Sequence, residues 1–498
     1  MDKEGCPVPT TSSVADLVHL LRSGLPDAPG WEPTARAALA ALFGERYHSR
    51  HGADVEIRDA YGRGPDPAHI PFAGLLPEGS ATSGQYGGMS VVWFPRQRGG
   101  SLLTFVVGTL GLNPDEAILG RPGHRRHVAA MRTHLRRMGV PAWTKPDPAA
   151  LASPLPPAVT ELFPAYAAAL RRYGPFIYAC AEIGAELPDD LAASTLAAFL
   201  DLYAYERRWQ VLAAHRAEVD AYLAGLNAEL FASPTEDDVT KLLLERRFVV
   251  LQGAPGTGKT RMADRIRLGP TFGVHGLPVQ FHPAVTYEDF VVGLAPQPSS
   301  DTLRFDVRPG WLLQATQAAE ETPDAPFLLQ IDEINRGDLG KVLGEGIYLF
   351  EPGERREIVL PHRWRDRSRL GLPPNLYLLG TMNTADRSIT GVDLAVRRRF
   401  AFVTLRPDRA PVAAQPWPLA ADAFDRVAHA FVEHAADEAM ALLPGQAYYL
   451  AESPAQLERR FRYELLPLLD EYLASGILGG AAAEVQTCRD WISDQIAG

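Results

Sequence analysis

Gly253-Ala254-Pro255-Gly256-Thr257-Gly258-Lys259-Thr260 fits the pattern GxxxxGK followed by Ser or Thr at every fixed position. The apolar run Phe248-Val249-Val250-Leu251 before it reads as a buried strand. The stretch Arg261 to Arg267 after it mixes polar and apolar residues as a helix does. Strand, glycine-rich loop and helix in that order form a phosphate cradle. The glycines let successive N–H groups turn toward one anion, and the helix start adds its positive dipole end. Lys259 would reach the β and γ phosphates of a nucleotide, and Thr260 would hold Mg²⁺.

A second apolar run, Phe327-Leu328-Leu329-Gln330-Ile331, ends in Asp332-Glu333, the Walker B arrangement. Asp332 would orient the Mg²⁺ shell and Glu333 would polarise the attacking water. Phosphoryl transfer is mostly positioning and charge stabilisation, so these two carboxylates and one lysine supply much of the chemistry. The distance from the loop suits a sheet in which another strand lies between the two. A third strand, Leu376 to Gly380, leads into Thr381-Met382-Asn383-Thr384-Ala385-Asp386-Arg387-Ser388, whose polar tip would touch the γ-phosphate or the lytic water. Val392 to Phe400 then ends in three consecutive arginines, Arg397, Arg398 and Arg399. Such a cluster serves either as a basic helix C-terminus or as charge offered to a neighbouring subunit's nucleotide.

The run MNTADRS followed by VDLAVRRRF resembles the McrB family, the AAA+ motor subunits of modification-dependent restriction systems. Val279 to Pro283 with Thr286 to Phe290, Ile331 to Arg336, Pro444 to Tyr449 and Tyr463 to Tyr472 are similar to further stretches of that family. The resemblance covers the chain from about Thr235 onward. It implies an AAA+ P-loop NTPase, a parallel sheet sandwiched by helices, with a C-terminal helical lid. It also implies a homo-oligomeric, hexameric ring that hydrolyses GTP or ATP with Mg²⁺ and works with a McrC-like PD-(D/E)xK nuclease subunit. Asn383 becomes the sensor, Arg387 a second γ-phosphate contact, and Arg398 with Arg399 the groups acting in trans. One departure lies in the lid, where a Gly-His-Ser-Tyr-like run is replaced by Gly445-Gln446-Ala447-Tyr448.

With 498 residues, 46% hydrophobic and 22% charged, the chain is expected to form several globular domains. Cys6, Cys180 and Cys488 lie far apart, which gives neither a disulfide framework nor a zinc site. The N-terminus lacks an apolar segment of the signal type and no run of eighteen apolar residues occurs, so a cytoplasmic protein without membrane contact is expected. A formal charge of −11 argues against a protein that coats nucleic acid non-specifically. Lysine occurs only at positions 3, 145, 241, 259 and 341, and the residues two before each are Met1, Trp143, Val239, Thr257 and Leu339. None is acidic, so the usual nuclease lysine motif is not expected here and cleavage falls to a partner.

Four regions are expected: an α/β recognition domain over 1–149, a helical neck over 150–232, the large motor subdomain over 233–407 and the lid over 408–498. Pro141 to Pro157 marks the first break, Tyr203 to Leu230 is the longest helical piece, and Thr235 is placed to cap the helix that follows. Leu303, Phe305 and Val307 alternate with Arg304, Asp306 and Arg308, the period of a hairpin strand. Arg304 and Arg308 either contact a gripped polymer or simply decorate the surface. In the N-terminal third, Ser90 to Phe94 and Leu102 to Val107 read as strands joined by a Gly-containing turn. If this region reads a flipped base in DNA, Tyr86, Trp93 or Phe94 would stack on it. Arg121 and Arg125 would then touch phosphates. The alternatives are core aromatics and a solvated basic helix. A MoxR-like AAA+ chaperone acting on a protein client is the competing function.

Overall fold

The computed structural model describes residues 12–23, 55–59, 73–77, 89–96, 99–107, 120–147, 154–206, 230–297, 304–385 and 394–497, with a few isolated positions between them. The chain divides into two units, residues 1–230 with 432–434, and residues 231–431 with 435–498.

The first unit is built on one antiparallel sheet of β1 (Val55–Asp59), β2 (Ala73–Pro77), β3 (Met89–Pro95), β4 (Gly100–Val107), β5 (Ala142–Thr144) and β6 (Ile177–Gly184), in the order β1-β2-β3-β4-β6-β5. β3 and β4 form the expected hairpin, with Trp93 opposite Leu103 and Arg96 N–H donating to Gly100 O at 2.8 Å. Val92, Phe94, Leu102, Trp143, Phe163 and Ile177 pack together under the sheet. The expected break at residue 149 is corrected here. β6 falls inside the stretch read as a helical neck, yet it lies between β4 and β5 and belongs to their sheet. Its small residues, Ala179, Cys180 and Ala181, carry no polar alternation because the strand is buried on both faces, so Ala-rich helices on either side masked it. The helix Asp189–Glu206 ends inside the stretch expected to be the longest helix, and most of the rest of that stretch lies outside the described residues.

The second unit opens with the helix Glu236–Arg246. Thr235 caps it reciprocally, the Asp238 N–H donating to Thr235 Oγ1 at 3.2 Å and the Thr235 N–H to Asp238 Oδ2 at 3.0 Å. The strands that follow are β7 (Phe248–Gly253), β8 (Gly276–Gln280), β9 (Val292–Gln297), β10 (Arg304–Pro309), β11 (Phe327–Asp332), β12 (Glu357–Trp364), β13 (Arg367–Gly371), β14 (Leu376–Asn383) and β15 (Ala401–Thr404). Five of them make a parallel sheet in the order β15-β7-β14-β11-β8. Each central strand sends alternate residues to opposite faces. Phe248, Val250, Leu329 and Ile331 join one core, while Val249, Leu251 and Leu328 join the other. Each such side chain contributes about 1.5–3 kcal/mol on burial, which fixes register because a one-residue slip would exchange the faces.

β14 separates β7 from β11, so the carboxyl ends of these strands stand side by side at a reversal of strand order, where open parallel sheets place ligands. Two antiparallel hairpins, β9 with β10 and β12 with β13, stand apart from this sheet. After β15 the chain is helical, and Val427, Phe431, Tyr449, Phe461, Leu469 and Val485 form the core of a separate lid. Among the described residues no helix is long and apolar enough to cross a membrane.

Candidate nucleotide-binding site

β7 runs straight into the glycine-rich loop, and the helix Lys259–Leu268 leaves it. Gly256 and Gly258 adopt φ of 78° and 88°, left-handed values that a side chain would resist, so the loop can coil around an anion. Lys259 is buried, and its Nζ donates to Gly253 O at 3.1 Å and Ala254 O at 2.8 Å. Burial pushes its ammonium down from the usual lysine range to about 8, against the opposing pull of Asp332 and Glu333. Thr257 turns inward, its hydroxyl donating to Ala254 O at 2.9 Å.

Asp332 ends β11 beside the loop. Thr260 Oγ1 lies 3.0 Å from Asp332 Oδ1, so the hydroxyl of the loop and the carboxylate of the strand meet at one point. Glu333 follows with φ 52° and ψ 44°, a left-handed conformation uncommon for a residue with a side chain. Its carboxylate stands 2.6 Å from Arg336 Nε. Asn383 ends β14 directly across from Gly253 in the register of the sheet, and the next residue, Thr384, donates its N–H to Gly253 O at 3.1 Å. Gly253 through Thr260, Asp332, Glu333 and Asn383, all named from sequence, thus gather at the tips of three adjacent strands.

Thr381 had no role in the sequence reading. It is buried in β14, donates its hydroxyl to Asp332 Oδ1 and accepts the Glu333 N–H at 3.1 Å. It ties the acidic pair to the neighbouring strand. The available signal was the strand period of two, which puts Thr381 and Asn383 on one face.

The three arginines separate. Arg398 keeps 63% of its side chain exposed, at 3.5 Å from Glu351. Arg399 is 3% exposed, pairs with Glu351 at 2.6 Å and donates to Ala395 O at 2.8 Å. Arg399, expected as a group offered to a neighbour, is held here as an internal strut, turned inward because Phe400 and Val396 beside it are core residues. Arg387 lies outside the described residues.

The expected DNA contacts fare unevenly. Trp93 is 5% exposed, so the aromatic-cage assignment is also corrected; a central sheet position buries it. Phe94 is buried too, its ring 5.2 Å from that of Tyr173, and Tyr86 lies outside the described residues. Arg121 and Arg125 are half-buried at the start of the helix Pro122–Arg137. Arg304 is exposed on β10, on the face opposite Phe305.

Residues 248–400 match the AAA domain of the dynein-related subfamily. The chain is 31% identical over 269 residues to the Type IV methyl-directed restriction enzyme EcoKMcrB subunit of Escherichia coli (strain K12), covering 51% of this chain and 57% of that protein. It is 26% identical over 208 residues to the Type II restriction enzyme BsuMI component YdiS of Bacillus subtilis (strain 168), covering 34% of this chain and 60% of that one. The chain thus spans less than two thirds of the length of either relative. A solved ATPase-type structure from Cytophaga hutchinsonii aligns at 13% identity over 54% of this chain and 73% of its own, with a TM-score of 0.25, too low to bear on the fold.

Proposed function

We propose that this chain, a McrB-like AAA+ NTPase through its second half, forms a nucleotide-driven ring. Its N-terminal unit binds DNA, and the ring drives a separate McrC-like nuclease subunit in restriction of foreign DNA. The observation that carries the motor chemistry is the convergence of Lys259, Thr260, Asp332, Glu333 and Asn383 on one edge of a parallel sheet. Both curated relatives belong to restriction enzymes, which favours this assignment over remodelling of a protein client.

The loop N–H groups and Lys259 bind the triphosphate. Thr260 and Asp332 present hard oxygen donors 3.0 Å apart, the pair that would hold Mg²⁺. Bound there, the ion would neutralise charge growing on the phosphate oxygens. Glu333 takes up the proton side of the attack by orienting water, with Asn383 fixing that water from the next strand. Arg398, the exposed arginine, stabilises the transition state in the neighbouring copy's site.

The test is Glu333→Gln in the full chain. The variant should bind ATP or GTP as the parent does, assemble with it, and lose at least about 100-fold in turnover. Hydrolysis at the parent rate would remove Glu333 from the mechanism. A parent protein that stays monomeric with saturating non-hydrolysable analogue, yet hydrolyses nucleotide fully, would remove the ring.

A further inference from the structure

We propose that the lid segment Gly445-Gln446-Ala447 is the clamp on the carbonyl side of the phosphate loop, with Gln446 as a positioning residue for the triphosphate. The proposal rests on the assignment of residues 253–260 as the nucleotide site. Gly445 N–H donates to Pro255 O at 2.9 Å, Ala447 N–H to Gly256 O at 3.0 Å, and Gln446 Nε2 to Thr257 O at 3.1 Å. Three successive loop carbonyls are therefore held by three successive lid residues. The two carbonyls before them, Gly253 O and Ala254 O, are held by Lys259.

A planar trans peptide points its C=O and its N–H in opposite directions. Holding the carbonyls of 255, 256 and 257 against the lid therefore turns the N–H groups of 256, 257 and 258 away from it. Those are the groups a phosphate must meet, so the lid sets the shape of the anion nest before nucleotide arrives. Gln446 joins two elements at once, because its Oε1 also accepts the Asp408 N–H at 3.1 Å, just where the chain leaves β15 for the lid. One amide thus ties loop to hinge, using a donor and an acceptor that no acidic or apolar side chain combines.

The seat is cut for backbone. A Cβ on Gly445 would fall 2.1 Å from Gly256 C and 2.2 Å from Thr257 N. A Cβ on Gly256 would meet the Tyr448 ring at 2.9 Å. Only glycine on each side of the contact lets the chains approach this closely. A loop shaped in advance loses less freedom on binding, so the clamp acts on affinity. Its bonds are made equally in the ground and transition states, which places the effect in KM and not in kcat.

The experiment titrates the full chain with N-methylanthraniloyl-ATP and -GTP and measures steady-state hydrolysis for Gln446→Leu, Gln446→Glu, Gly445→Ala and the control Lys259→Ala. Gln446→Leu should weaken binding and raise KM about 5- to 50-fold through two lost hydrogen bonds, with kcat within about two-fold and a melting temperature lowered by no more than about 10 °C. Gln446→Glu should do no better, since it keeps the acceptor for Asp408 but opposes Thr257 O with another acceptor. Gly445→Ala should abolish measurable binding; should it also unfold, Gln446→Leu decides alone. Binding by Gln446→Leu within about two-fold of the parent, while Lys259→Ala loses it, would overturn the clamp and leave the nucleotide site standing. A fall in kcat at unchanged KM would overturn it as well. Equal binding by the parent and Lys259→Ala would instead overturn the nucleotide site itself.

Discussion

Arg398 and Arg399 are neighbours in sequence, yet their surroundings differ sharply, and substitution should separate them cleanly. Arg399 is 3% exposed and its partner Glu351 is 20% exposed, so their contact at 2.6 Å is largely shielded from water. Breaking a buried pair by removing one member costs about 3–5 kcal/mol. Allowing for the partial exposure of Glu351, Glu351→Gln or Arg399→Ala should cost about 2–4 kcal/mol, or about 5–15 °C in melting temperature for a unit of this size. Arg398 lies 3.5 Å from the same carboxylate with 63% exposure, a contact worth at most about 1 kcal/mol. Arg398→Ala should therefore melt almost as the parent does while losing about 10³-fold in hydrolysis. Mixing provides the sharper assay. Arg398→Ala keeps an intact loop and Lys259→Ala keeps an intact Arg398, so each is inactive alone. In mixed rings about one quarter of the seams join a good loop to a good arginine, and activity should return to about that fraction of the parent. Mixed rings that form but stay inactive would refute the trans role of Arg398. A stable, inactive Arg399→Ala would refute the division of labour.

Three further outcomes follow from the same site. Because burial sets the Lys259 ammonium at about 8 in the free protein, nucleotide affinity should be full below that pH and fall toward tenfold per unit above it. The linkage to stability has the opposite sense: the free fold binds fewer protons than the unfolded chain between about 8 and 10.5, so it gains stability as pH rises through that window. Titration of fluorescent nucleotide between pH 7 and 9.5 checks the first, with Lys259→Arg expected to flatten the curve; a parent curve already flat would contradict it. Thr381→Val keeps the volume of a buried side chain but takes one of two hydroxyl donors from Asp332 Oδ1, leaving it Thr260, and strips the Glu333 N–H of its acceptor, at a cost of about 1–3 kcal/mol. Turnover at saturating nucleotide should drop at least about tenfold, because the left-handed backbone at Glu333 loses its tether. Parent-like kcat in a correctly folded Thr381→Val would show that Thr381 only fills space.

What the sequence made legible follows the physics of each signal. A phosphate loop must have glycines and a lysine at fixed spacing because the backbone itself binds the ligand, so residues 253–260 could be named outright. The acidic end of β11 was legible for a similar reason: an apolar strand that stops in two carboxylates has few other uses. β6 was not, since a strand buried on both faces shows no alternation and its alanines match the helices around it. Nor could three arginines in a row reveal which one turns inward; that depends on Glu351, almost fifty positions away in the chain. Gln446 sits between these cases. Its departure from the family's usual histidine was visible, but its partners Thr257 and Asp408 meet only once the lid has folded back on the loop. Residues whose chemistry is written into the backbone are readable one by one. Residues that act by holding another segment's carbonyl, as Gln446 holds Thr257 O, become readable only when both segments are in place.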